Sequence, residues 1–191
     1  MNDLKILNLE FNAVPSGEQD VKTLSGYKTV KYGLNNDYPQ YLYDVYQNYS
    51  PKHSAIINRK ANMIGGQGFN KEGITKEATQ FLNNPYVNQS IDDVVRMASY
   101  DLEVLYYITL EITYSRDMQS VASVTYLPSS RVRFGIVTDE IPFQHFLYSK
   151  NWGNTRKKGN EVIVYPAFSR GENGVAKELL YIPFYQGYSE Y

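Results

Sequence analysis

Few residues in this chain could perform chemistry, and their spacing does not suit it. Two histidines, His53 and His145, and no cysteine occur in 191 residues. Without cysteine there is no disulfide, no thiolate metal site and no cysteine nucleophile. A histidine works as a general base when a second group orients it near a substrate proton. His53 falls in the first turn of an expected helix, and His145 lies in an expected strand with Phe143 and Phe146. Both read as surface or packing residues, and two histidines at this separation form no recognised metal set. The carboxylate pairs Asp92-Asp93 and Asp139-Glu140 have the chemistry to hold Mg²⁺ or to exchange protons. A simpler role fits each. Asp92 and Asp93 stand where a helix dipole favours negative charge, and Asp139-Glu140 precede Ile141-Pro142 in a turn. Neither a GxSxG elbow nor a P-loop is present. We therefore expect no enzymatic activity, no catalytic or metal site and no cofactor.

Two further features could meet phosphate. The first is GGQG at 65–68, closing the stretch SPKHSAIINRKANMIGGQGF. A phosphate loop needs glycines that feed the N-terminus of a helix, and here they follow one. The spacing also fits the GxxG loop that joins two helices in KH domains, but no second helix can start before about Thr75. The glycines read as a helix end. The second feature is Arg131 and Arg133, which alternate with Val132 and Phe134 and so leave one face of an expected strand. Arginine pairs on a wet sheet face usually meet carboxylates of the same or a neighbouring subunit, with phosphate contact as the alternative.

Helices dominate the first half of the chain. Pro39 opens one, with Leu42, Val45 and Tyr46 as its buried face and Tyr49 extending it. Ser50 is an N-cap with Pro51 in the first helical position, and Ile57, Ala61 and Ile64 form a stripe that Ile56 and Met63 widen. A short helix spans 75–82. The next begins at Ser90, with Asp93 in a capping-box position and a stripe of Ile91, Val94, Val95, Ala98, Leu102 and Leu105. The period then changes. Large apolar residues recur at every second position over 107–114, which predicts a strand with one wet face and a hairpin into a second strand at 121–127. Further strands are expected at 131–137, 143–149, 161–165 and 178–184. Helices first and strands later predict an α+β fold, with the Ser50 and Ser90 helices packed on a mainly antiparallel sheet. Residues 1–30 read as an N-terminal arm, with a short strand at Leu4-Lys5-Ile6-Leu7.

Composition agrees with a globular domain, at 42% hydrophobic and 20% charged residues. The formal net charge of -1 gives no basic field for non-specific DNA binding. Nineteen tyrosines suit either a half-buried β surface or a subunit interface. No apolar run is long enough to cross a bilayer, and MNDLKILNLEF lacks the features of a signal peptide, so synthesis inside the cell and no membrane partner are expected.

Four motifs together resemble the N-terminal part of phage portal proteins, especially those of phages infecting Bacteroidetes-type bacteria. They are Lys31-Tyr32-Gly33-Leu34-Asn35-Asn36-Asp37-Tyr38-Pro39; Ser50 to Ile57 running into Ile64-Gly65-Gly66-Gln67-Gly68; Leu127-Pro128-Ser129-Ser130-Arg131-Val132-Arg133; and Tyr148-Ser149-Lys150-Asn151-Trp152-Gly153 followed by Tyr165-Pro166-Ala167-Phe168. The resemblance runs from about Lys31 to Tyr191 and implies a portal wing-like α+β domain over 31–191. It also implies a structural virion protein, in a dodecameric ring at the capsid vertex through which DNA is packaged and ejected. The implied partners are further copies of the chain, the terminase large subunit, capsid and head–tail connector proteins, and DNA in the channel. The implied location is the portal vertex of the virion, with host cytoplasm during assembly. Nothing resembles the family's stem, clip or crown, so the resemblance also implies that Tyr191 is not the natural end, that ring contacts are incomplete and that no DNA-contact residue carries over. The alternative function is a nucleic-acid-binding module using the GGQG loop and the Arg131/Arg133 face.

Overall fold

A computed structural model of the chain describes residues 21–24, 26–33, 35–84, 87–142 and 144–184. The strand expected at Leu4 to Leu7 lies outside them, as does the closing loop from 185 onward. In chain order the elements are β1 (Val21–Leu24), β2 (Tyr27–Val30), α1 (Tyr38–Asp44), a π-helical turn (Val45–Tyr49), α2 (Pro51–Gly65), α3 (Lys76–Asn83) and α4 (Ile91–Leu105). Then follow β3 (Tyr107–Tyr114), β4 (Val121–Tyr126), β5 (Val132–Phe134), β6 (His145–Tyr148), β7 (Ile163–Pro166) and β8 (Lys177–Pro183). The fold is α+β, with every strand pair of its sheets antiparallel.

The helix ends follow local chemistry. Ser90 accepts from the Asp93 amide at 3.2 Å while Asp93 accepts from the Ser90 amide at 3.2 Å, the reciprocal bonds of a capping box. Thr75 caps α3 by accepting from the Ala78 amide, and Asn84 closes it in the left-handed conformation at φ 49°. Gly66, at φ 54°, ends α2 as the glycine pattern predicts. Ser50 is the N-cap of α2, but its side chain makes no capping bond. Its hydroxyl meets His53 Nδ1 at 2.7 Å instead.

Three expectations about packing are corrected. First, α2 packs chiefly on α4, and it is α4 that packs on β3 and β4. A crossing of two helices covers one seam, here Ile57 and Ala61, while Ile56, Met63 and Ile64 remain exposed. Tyr49 is likewise exposed rather than part of a buried face. Second, the strands form two three-stranded sheets, ordered β4-β3-β8 and β5-β6-β7, rather than one. A parallel bridge between Ala167 and Leu179 joins them. The principal core lies between them, built from Leu127, Val132, Phe146, Tyr148, Tyr165 and Leu179. Third, β3 has no wet face, because Thr109 and Glu111 are buried as well as Ile112 and Tyr114. As the middle strand of its sheet it is covered on both sides.

β1 and β2, within the stretch assigned from sequence to an arm, pair as a hairpin, with Gly26 at φ 85° between them. Its second strand reaches the other sheet. Thr29 is buried and its hydroxyl donates to the Phe134 carbonyl at 2.8 Å, and the Ile136 amide donates to the Lys28 carbonyl at 2.8 Å. Among the described residues no helix is long and apolar enough to cross a membrane.

Candidate functional site

Arg131 and Arg133 do not share a face. Arg131 ends a 3₁₀ turn (Ser129–Arg131) and only Val132–Phe134 is strand, so the alternation expected between the two arginines never starts. Arg131 is half-buried. Arg133 is fully enclosed, and all five of its N–H donors are used within the chain. Nε donates to Asn36 Oδ1 at 3.1 Å, and one terminal nitrogen donates to the carbonyls of Ser130 and Val132 at 2.7 and 2.8 Å. The other donates to the Asn36 carbonyl at 2.6 Å and to Gln40 Oε1 at 3.0 Å. The guanidinium lies 5.0 Å from the ring centres of both Tyr32 and Trp152. None of these acceptors is a carboxylate. Burial pulls the Arg133 pKa down to about 10, which leaves it charged at neutral pH and without a donor to offer phosphate.

Local sequence builds this cage. Asn36 occupies the left-handed region at φ 57°, where an asparagine is tolerated, and its side chain also accepts from the Tyr32 amide at 2.8 Å. Trp152 is seated by its indole N–H, which donates to the Arg131 carbonyl at 2.8 Å. Segments around 32–40, 129–133 and 152 therefore meet at one buried cation.

The glycine loop is also accounted for internally. Asp92 Oδ1 accepts from the Phe69 amide at 2.8 Å, and Lys71 lies 3.7 Å from Asp92 Oδ2. A Cβ on Gly68 would stand 2.7 Å from that carboxylate. Asp92 thus does more than answer a helix dipole: it fastens the GGQG turn to the start of α4. No second helix follows until Lys76.

The remaining sequence candidates stay apart. His53 is exposed at the start of α2, edge-on to Tyr46. His145 is fully buried on β6, with its ring over the Gly135 backbone and 5.1 Å from the Tyr27 ring. Asp139 and Glu140 are exposed in a turn closed by the Thr138 and Ile141 backbones. Among the described residues no group of His, Asp and Glu could hold a metal ion.

Sequence reasoning missed the buried carboxylates. Asp101 is 1% exposed and takes Tyr43 and Tyr126 hydroxyls on Oδ1, the latter at 2.8 Å, and the Ser129 amide at 2.8 Å on Oδ2. Burial raises its pKa, with those hydrogen bonds opposing. Burial beside Asp101 pushes both phenols far above their ordinary range. Glu178 accepts from the Ser169 amide (2.9 Å) and hydroxyl (2.5 Å), Tyr114 OH (2.7 Å) and the Asn173 amide group (2.9 Å). Burial alone would raise its pKa, but the donors from Ser169, Tyr114 and Gly171 outweigh it and hold it below the usual range. These clusters tie segments together; each is closed by its own hydrogen bonds.

The outer side of α2 is apolar and basic. Along one side of α2, Lys52, Ile56, Arg59 and Met63 recur at helical spacing, with Ile56 56% and Met63 74% exposed. Tyr49 precedes them, 75% exposed, and α2 carries no acidic residue. Lys60 is paired with Glu103 of α4. A hollow of about 380 Å³ beside Phe81 and Val121 is open to solvent.

No protein-family model, no curated protein and no solved structure matches this chain.

Proposed function

We propose that this chain is a structural assembly protein, the wing region of a phage portal subunit. The observation that carries this reading is the convergence on Arg133. Three of the four stretches that resemble the portal family contribute to its cage: Tyr32 and Asn36 from the first, Ser130 and Val132 from the third, Trp152 from the last. The resemblance thereby attaches to one physical unit, in which Tyr32, Asn36 and Trp152 meet the cation with their side chains and Ser130 and Val132 with backbone carbonyls. The second stretch supplies α2 and its uncovered face.

A second copy of the chain is the occupant of that face. Lys52 and Arg59 flank Ile56 and Met63, and elsewhere the turn at 137–142 displays Asp139 and Glu140 beside Val137, itself 50% exposed. Opposite charges around apolar contacts on two different surfaces fit a head-to-tail interface, the kind that closes into a ring. In this reading the protein is not an enzyme, uses no cofactor, and acts at the virion vertex with terminase, capsid and connector proteins. The nucleic-acid alternative is weakened at Arg133 and at the GGQG turn, since the Arg133 donors and the Phe69 amide are both used internally.

Sedimentation velocity over a concentration series tests the interface. Weak self-association is expected, abolished by Met63→Glu, weakened by Arg59→Glu and recovered when Asp139→Arg and Glu140→Arg are added. Self-association untouched by Met63→Glu, or a monomer at every concentration, would overturn it.

A further inference from the structure

The connection between β6 and β7, residues 149–162, is braced by its own hydrogen bonds. Trp152 anchors its base, 2% exposed. Asn151 Oδ1 accepts from the Gly153 amide at 2.9 Å, and the Ser149 hydroxyl donates to the Asn160 carbonyl at 2.8 Å. The Asn160 amide donates to the Lys157 carbonyl at 2.9 Å and its side chain to the Asn154 carbonyl at 3.2 Å. Gly159, at φ 88°, turns the chain, and its amide donates to Glu161 Oε2 at 2.8 Å.

Arg156, Lys157 and Lys158 project from this framework. All three are exposed, and none of their side chains has an ion-pair or hydrogen-bond partner among the described residues. Lys150 stands exposed at the foot of the loop. Arg131 lies there too, its carbonyl accepting from the Ser149 amide at 3.4 Å as well as from Trp152. Residues 150–161 hold four cations and one carboxylate in a chain whose total is -1, so positive charge is concentrated here against an acidic remainder.

We propose that this loop docks the phosphate backbone of a nucleic-acid duplex. The polar make-up of the loop itself selects the ligand, exposed apolar area beginning only at Ile163 on β7. From Gly153 to Glu161 there is no apolar side chain, and Trp152 is inside. A protein partner would need an apolar centre to its interface, and a single strand would need exposed rings for base stacking. A duplex backbone needs neither: it is bound by neutralising phosphates and releasing counterions, without sequence preference. The site shares no residue with the GGQG turn and uses no donor of Arg133. It stands whether or not the chain belongs to a portal.

Fluorescence anisotropy with a labelled duplex of arbitrary sequence, at several salt concentrations, tests it. The expected result is weak binding whose logarithm falls with log salt at a slope of about -3, for three or four phosphates neutralised. Arg156→Gln/Lys157→Gln/Lys158→Gln should lower affinity about tenfold or more at low salt and flatten the slope. Because the three side chains make no internal contact, the variant should melt like the wild type. Lys52→Gln/Arg59→Gln on α2 should bind as wild type does. No binding at low salt, equal binding by the triple variant, or an equal loss in the α2 variant would each overturn the proposal. Polyglutamate bound as tightly as duplex at the same salt would also overturn it, in favour of an acidic protein partner.

Discussion

Replacing Arg133 should unfasten the domain, and the size of the effect follows from its contacts. Arg133→Met keeps most of the side-chain volume and deletes the guanidinium. Five donations end, to Asn36 Oδ1 and O, Gln40 Oε1, and the Ser130 and Val132 carbonyls. At about 1.5–3 kcal/mol net for each bond from a charged donor, the gross loss is roughly 7–15 kcal/mol. Against it stands the cost of burying a cation with no carboxylate bonded to it, several kcal/mol that methionine removes. The difference is a destabilisation of about 3–6 kcal/mol, from a total of roughly 5–15. At roughly 2–4 °C per kcal/mol for a chain of this size, Tm should fall by about 6–24 °C. Arg133→Lys retains charge but has three donors and no plane to stack, so it should fall between methionine and wild type. Trp152 is the sole tryptophan and touches the guanidinium, so its fluorescence during urea unfolding reports on the cage itself. A methionine variant within 1 kcal/mol of wild type, or full recovery by lysine, would refute the reasoning.

Gly135→Ala should destabilise strongly, because its Cβ would stand 2.1 Å from His145 Nε2 in a ring with no room to move. In a double-mutant cycle with His145→Ala the two effects should be non-additive by more than about 1 kcal/mol; additivity would show that the clash is relieved another way. Glu178 has a folded pKa below its unfolded value, so its contribution is present above the unfolded pKa and is lost as pH falls through the folded one. Glu178→Gln should therefore be less stable than wild type at neutral pH, with the gap closing in acid. A gap in urea midpoints that stays constant with pH contradicts this.

The helices were legible because their ends are written in short-range chemistry. Ser90 with Asp93, Thr75, and Gly66 each act on groups within four residues. The alternation over 107–114 likewise placed a strand, but alternation separates two faces without saying what covers each. Glu111 shows the limit. It lies on the expected wet face, yet it is buried and bonded by Tyr165 OH at 2.6 Å and Lys177 at 2.7 Å. The width of an apolar stripe is ambiguous in the same way, since Ile56, Met63 and Ile64 extend it without α4 being broad enough to cover them. Arg133 was misread because its exposure depends on where the 3₁₀ turn ends, and on Asn36 and Gln40 more than ninety residues away. Asp101 did leave a signal. It stands on α4 between Ala98, Leu102 and Leu105, an acidic residue on an apolar face, which marks a buried carboxylate in search of donors. The convergence of the 32–40, 129–133 and 152 segments left none, since it exists only in three dimensions.

The most direct test of the account is the assembly state of the protein made from its intact source reading frame, purified and measured by light scattering with negative-stain imaging. The account predicts closed rings, as a head-to-tail interface produces, whose formation Met63→Glu impairs. A monodisperse monomer at all concentrations, or rings indifferent to every substitution on α2 and the 137–142 turn, would contradict it.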